Sequence, residues 1–212
     1  MLIASRNSVE GVSLPYDVEV EYIEAATSGP YIDTGIVMAP DLSFALKGNY
    51  KYKASSVIGR RRNIAGHRES IYVLTGNNTS SVQGFFGQML SSGNQNMSVN
   101  LSLNADYEVS TLEYGKMICN GQTRTTSSYQ NVVDDPTDTH TMHIFCETGS
   151  DYESLQPTKG FLYWLKIYKA GVLVRDFIPV IDLRGVPCMY DKVSGKLFHN
   201  AGSGDFTAGP RK

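Results

Sequence analysis

Residues 160–210 read GFLYWLKIYKAGVLVRDFIPVIDLRGVPCMYDKVSGKLFHNAGSGDFTAGP, and this stretch decides the fold. It holds three apolar runs, Phe161 to Tyr168, Val172 to Ile181 and Lys196 to Phe198. Each is closed by Gly-bearing or charged punctuation: Lys169-Ala170-Gly171, Asp182-Leu183-Arg184-Gly185 and Ser194-Gly195. Short runs rich in aromatic and β-branched residues, separated by turn formers, mark successive antiparallel strands rather than helices. The block therefore predicts the closing strands of an all-β protein.

Upstream, the same signals recur. Val18, Val20 and Tyr22 alternate with Glu19 and Glu21, as on a half-buried strand, and Tyr31 to Ile36 reads as a second. Leu42 to Tyr52 reads as one long strand, bulged at Gly48-Asn49. Val57-Ile58-Gly59 and Ile64-Ala65-Gly66 read as short apolar stubs flanking Arg60-Arg61-Arg62. Ile71 to Leu74, Gly84 to Leu90, Met97 to Leu103, Tyr107 to Glu113 and Lys116 to Cys119 follow, with turns at Gly76 to Ser81 and Tyr114-Gly115. Asn120-Gly121 is the strongest hairpin signal, and Thr141 to Cys146 alternates Met142, Ile144 and Cys146 against Thr141, His143 and Phe145. Helical periodicity is absent. About a dozen strands at such spacing predict an all-β, two-sheet antiparallel β-sandwich, with residues 1–16 as an N-terminal arm and 17–212 as a single domain.

A net charge of −2 lacks the basic footprint of a nucleic-acid binder, so no nucleic-acid partner is expected. No run of about 18 apolar residues occurs, so no membrane insertion is expected. The first residues, Met1 to Asn7, lack the apolar core of a secretory signal. With Met1 as the native start, the chain is expected to be made in the cytosol and to stay soluble. Cys119, Cys146 and Cys188 are odd in number, widely spaced and flanked by apolar residues, a pattern of buried free thiols rather than a disulfide framework or a zinc site.

No nucleophile elbow, zinc-protease helix, phosphate loop or dinucleotide fingerprint is present, so the chain is expected not to be an enzyme. A β-sandwich glycosidase needs two carboxylates facing across a cleft, and Glu19 and Glu21 sit on the solvent side of their strand. His140 and His143, three apart, point to opposite faces if both lie on a strand, which disfavours a shared metal. A calcium site would draw on Asp33, Asp134, Asp135 or Asp138. Turn formation accounts for the same aspartates, and no cofactor is expected. Two surface candidates remain. Arg60, Arg61 and Arg62 form the one basic cluster, read as a solvated loop or strand-end group against a phosphate or acidic-glycan site. Trp164 shares a strand face with Lys166 and Tyr168, so the only Trp of the chain should stand half-exposed beside Tyr168, able to stack on a sugar or anchor a protein.

The two ends of the chain resemble a known family. Val20-Glu21-Tyr22-Ile23-Glu24 and Tyr31-Ile32-Asp33-Thr34-Gly35 open it. Leu165-Lys166-Ile167-Tyr168, Leu173 to Pro179, Gly185-Val186-Pro187, Tyr190 to Phe198 and Asn200 to Phe206 close it. Together, residues 17–36 and 160–210 resemble a laminin-G-like, concanavalin A-like jelly-roll domain common in bacteriophages and gut bacteria. The resemblance covers about a third of the chain, and the middle diverges. It implies a non-enzymatic module whose first and last strands meet, with Arg175 and Asp176 pinning the corner before Pro179 and Tyr190-Asp191-Lys192 leading into a Ser-Gly turn. It also implies that Trp164 stands where members usually have a small polar residue. The expected function is a structural or adhesive module of a bacteriophage virion, such as a fibre, capsid-decorating or tail-associated protein. It would assemble in the host cytoplasm on other virion proteins or on copies of itself, and would present a lectin-like sandwich to host-surface glycan or protein. A secreted or surface glycan-binding module of a gut bacterium is the alternative, and a β-sandwich glycoside hydrolase the third reading.

Overall fold

The structure, a computed structural model, describes residues 8–9, 12–53, 55–64, 67–76, 81–88, 97–113, 115–126, 134–148 and 154–212. Among these residues there is no helix. The strands, numbered in chain order, form two large antiparallel sheets, and the chain is an all-β sandwich. The smaller sheet runs β10 (Met97–Asn100), β9 (Ser81–Gln88), β8 (His67–Thr75), β7 (Ser55–Ile64), β14 (Thr141–Ile144), β5 (Ile32–Val37). The larger runs β13 (Gln122–Thr125), β12 (Lys116–Cys119), β11 (Asp106–Ser110), β6 (Leu42–Asn49), β17 (Gly160–Lys169), β18 (Val172–Asp182), β19 (Pro187–Asp191), β20 (Lys196–Phe198).

Period-2 alternation makes this arrangement fold. In β6 every second residue from Leu42 is buried and every second from Ser43 is partly exposed, so Phe44 and Leu46 face inward while Ser43, Ala45 and Lys47 face out. Leu165, Ile167, Tyr107, Val109 and Met117 bring the large sheet to the shared core, and Ile58, Val73, Val82, Val99 and Ile144 bring the small one. Each such side chain, fully removed from water, contributes about 1.5–3 kcal/mol of transfer free energy. The hairpin expected at Asn120-Gly121 joins β12 to β13, and its two residues take φ of 47° and 76°, the paired left-handed geometry that a two-residue type I′ turn requires.

The termini are built into the large sheet. β17 and β18 pair from Leu165–Phe177 to Lys169–Val172 and then part. Into the fork go β3 (Tyr16–Glu19), which pairs with β18, and β4 (Ile23–Ala25), which pairs with Gly160–Leu162 of β17. The end of the chain closes over the same segment, with β21 (Thr207–Ala208) on β4 and a bridge from Arg211 to Val20. The early strand β4 thus meets the last strand, β21. Two short hairpins lie outside the sheets: β1 (Ser8–Val9) with β2 (Val12–Ser13), and β15 (Cys146–Thr148) with β16 (Leu155–Pro157).

The phrases at the two ends that carry the resemblance are joints. Asn200 Oδ1 accepts from the Tyr31 and Gly202 amides, Ala201 N donates to Tyr31 O, and Ser203 N donates to Gly29 O. The two backbones approach so closely that a Cβ on Gly202 would lie 2.1 Å from the Gly29 carbonyl oxygen. Arg175 reaches from β18 to the small sheet, donating to Thr34 O at 3.1 Å, and Arg124 of β13 donates to Ser98 O of β10 at 3.0 Å. Both outer strands of the small sheet, β5 and β10, therefore have carbonyls capped by arginines of the large one, which blunts edges that would otherwise template another chain.

Several expectations need correction. The strand expected over Val18–Tyr22 begins at Tyr16 and breaks at Glu21-Tyr22 before β4. No bulge falls at Gly48. The register shift lies in β17, between Leu162 and Trp164, so the extra residue is Tyr163. The arginines do not separate two stubs: β7 runs from Ser55 to Ile64, because from Ile58 to Ile64 every residue finds a partner in β8, after a register shift at Val57. β14 ends at Ile144, where Phe145 adopts φ 59° and turns the chain out into β15. Residues 1–7 and 10–11 of the arm, Ala65-Gly66, residues 89–96 and Tyr114 lie outside the described residues.

Candidate binding face

The outer face of the large sheet holds the aromatic candidate. From Trp164 to Lys169 the register with β6 is regular: Trp164 stands opposite Lys47, Lys166 opposite Ala45 and Tyr168 opposite Ser43. Leu165 and Ile167 are buried between them, so Trp164, Lys166 and Tyr168 project together, each half-buried. One strand further, β11 places Glu108 opposite Lys47 and Ser110 opposite Ala45. The two rings flank a floor of small side chains, Ser43, Ala45 and Ser110. Toward β18 the face is closed by a packed corner, in which Tyr16, Ile178, Val180 and Cys188 are buried with Leu14, Tyr190 and Leu197 against them. Burial pushes the Tyr16 phenol up to about 12, with Glu19 accepting its hydrogen bond.

The cationic candidate has a different placement. Arg60 is only 6 % exposed and stands opposite Ile71, a core residue, inside β7. A solvated loop is therefore the wrong description of it. Arg61 and Arg62 continue the strand opposite Ser70 and Glu69, and their side chains lie outside the described residues. The structure does not bring Arg60 together with Trp164: β7 belongs to the small sheet and β17 to the large one.

His140 and three of the four aspartate candidates, Asp33, Asp135 and Asp138, have local partners. His140 pairs with Asp138, Asp33 accepts from the Gly35 amide, and Asp135 accepts from Thr137 N and Oγ1. Of His140 and His143, only the latter lies on a strand. It is buried against Tyr31, ring centroids 5.5 Å apart, and burial holds its imidazole below the usual range, an effect that Asp33 opposes and Arg60 reinforces. Among the described residues no group of three or more His, Cys, Asp or Glu side chains gathers to hold a metal. Cys119, Cys146 and Cys188 are buried free thiols as expected, pushed by burial up to about 11, 12 and 12.

Asp191 and Asp182, two of the buried carboxylates, are scaffold. Asp191 Oδ1 accepts from the Asp176 and Val193 amides, and Oδ2 accepts from Ser194 N and Oγ. Asp182 accepts from the Arg184 and Val186 amides, the Arg184 guanidinium and His199 Nε2. Burial alone would raise the Asp182 carboxyl, but these donors outweigh it and hold the group well below the usual carboxylate range. Glu24 was not singled out by the sequence, yet it is 6 % exposed and takes Lys51 Nζ at 2.6 Å together with the Tyr52 hydroxyl. Beside it Tyr22 stacks on Phe161, centroids 4.1 Å apart, and Tyr163 meets both edge-on while donating to Asp106. Alternation with the core residues Ile23 and Ala25 puts Glu24 on the outer face of the sheet, and it is buried only by partners that come from a distant strand end.

No family model, no curated protein and no solved structure matches this chain.

Proposed function

We propose that the chain is a non-enzymatic structural or adhesive module, a jelly-roll sandwich of the laminin-G-like kind, which holds its partner on the outer face of the large sheet around Trp164 and Tyr168. The observation that carries this reading is the half-buried Trp164 and Tyr168 projecting from one strand, opposite Lys47 and Ser43. A large apolar ring held partly in water by a rigid strand costs solvation and gains area only when a partner covers it. Glu24, Asp182 and Asp191, among the buried carboxylates, support a role other than hydrolysis, since each is taken up by internal donors rather than presented to a substrate. The sequence resemblance of the two chain ends supports a bacteriophage particle as the setting, with other virion proteins or copies of the same chain as neighbours.

The test compares wild type with Trp164→Ala for adsorption to bacterial cells and to arrayed glycans, with released reducing sugar measured in the same wells. Adsorption lost in the variant without sugar release is expected. Adsorption unchanged by the substitution places the contact elsewhere, and sugar release that tracks the purified chain overturns the non-enzymatic reading. Immunogold labelling of particles from the source culture tests the setting: label on virions is expected, and label confined to cell envelopes favours a bacterial surface module.

A further inference from the structure

We infer that the outer face of the large sheet takes a neutral, extended oligosaccharide laid along β17, with Trp164 and Tyr168 as two separate stacking positions. This rests on the reading of that face as the contact surface and names the class of ligand. Four residues along a strand separate the two rings by about 13 Å. A monosaccharide covers one of them, and only a chain reaches both. Between them on β17 stands Lys166, whose ammonium lies on the β18 side, 3.8 Å from Asp176, while on the other side Ala45 and Ser110 are short, so sugar rings have room over β6 and β11.

Charge selects against an acidic chain. Lys166 Nζ lies 3.8 Å from the Asp176 carboxylate, its partner in the ladder. Lys47 sits over the Tyr163 ring, 4.9 Å from its centroid, and faces Glu108 across the sheet. Lys116, two strands away, is held 3.0 Å from Glu113. Each of these cations on the face already has an anion or a π-face beside it, so a uronate or sulfate would meet Asp176 and Glu108 with none of the three left to offset them. Hydroxyls fit the same groups well, since the ammonium of Lys166 can donate and the carboxylate of Asp176 can accept. Stacking on Trp164 and Tyr168 then supplies affinity that salt does not screen.

Trp164 is the single Trp of the chain, so intrinsic emission reports this face directly. The experiment titrates the whole chain with neutral hexasaccharides (cello-, malto-, xylo- and mannohexaose) and with acidic ones (oligogalacturonate and oligomannuronate), at about 50 and about 500 mM sodium chloride. At least one neutral chain should change Trp164 emission, with Kd constant within about twofold across that salt range, and Tyr168→Ala should weaken it about tenfold. Trp164→Phe, read by calorimetry, should retain part of the affinity. Preference for an acidic chain, with affinity falling about tenfold or more at high salt, overturns the neutral assignment and leaves the face standing as the contact surface. Silence across all neutral chains, with the fold intact by circular dichroism, also overturns it. Binding that neither changes Trp164 emission nor responds to Tyr168→Ala overturns the face itself.

Discussion

Asp191 gives the sharpest quantitative prediction. Its side chain is fully buried and receives the Asp176 amide at 2.8 Å, the Val193 amide at 3.1 Å, and Ser194 through N at 3.2 Å and Oγ at 2.6 Å. Arg175 Nε stands 3.7 Å from the same carboxylate. Asp191→Ala strips all of these at once. The Val193 and Ser194 donors lie in an exposed turn and can take water, but the Asp176 amide and Arg175 lose a buried anion. Hydrogen bonds to a charged group are worth about 1.5–3 kcal/mol each and are not additive, and removing one partner of a buried pair costs about 3–5 kcal/mol. We therefore expect a loss of about 3–5 kcal/mol, and for a chain of this length a fall in Tm of about 6–20 °C. Urea and thermal unfolding followed by near-UV circular dichroism measure it. Ser194→Ala, which removes one donor from the set, should cost about 1 kcal/mol. An Asp191→Ala loss no larger than that of Ser194→Ala would refute the assignment of Asp191 as the joint of the closing hairpin.

Three further outcomes follow from the same contacts. Asp182 has its carboxyl held below its unfolded value, so its contribution is complete above the unfolded carboxyl pKa of about 3.9 and is lost as pH falls through the folded one. Asp182→Asn should lower stability at pH 7 and flatten its decline below about pH 5; an unchanged acid limb contradicts this. Gly202→Ala places a Cβ 2.1 Å from the Gly29 carbonyl and must push the two joined loops apart, so urea unfolding should show a loss of about 1–3 kcal/mol, whereas a neutral substitution would show that the loops are not in contact. The three buried thiols should resist a thiol reagent at pH 8 in the native protein and react fully after denaturation, and a rapidly reacting native thiol would contradict their burial.

The closing block was legible because its runs, turns and punctuation are local. β17, β18 and β20 follow the three apolar runs and their turn residues, while β19 is a further strand between the second and third runs. The side on which Trp164 stands was legible for a less secure reason. The bulge at Tyr163 falls before Trp164, so alternation from Trp164 to Tyr168 keeps its phase, while Tyr163 leaves the face that simple alternation gives it. Features decided by distant partners were not legible. The arginines Arg60 to Arg62 look like a loop in isolation and become strand because β8 pairs with them along their length. Glu24 becomes a buried anion only because Lys51 and Tyr52 arrive beside it. Phe145 takes a left-handed backbone conformation that nothing in its neighbours' identities announces. The small-sheet face that carries His143 was likewise hidden, since its burial against Tyr31 depends on the joint between the Tyr31 and Asn200 segments.

The most direct test of where this module makes its contact is hydroxyl-radical footprinting of the whole chain with and without a bound glycan. The placement on the large sheet predicts that Trp164 and Tyr168 lose reactivity together while Tyr31, just before β5, and Tyr72 of the small sheet keep theirs. Protection of Tyr31 or Tyr72 with Trp164 unchanged would contradict it.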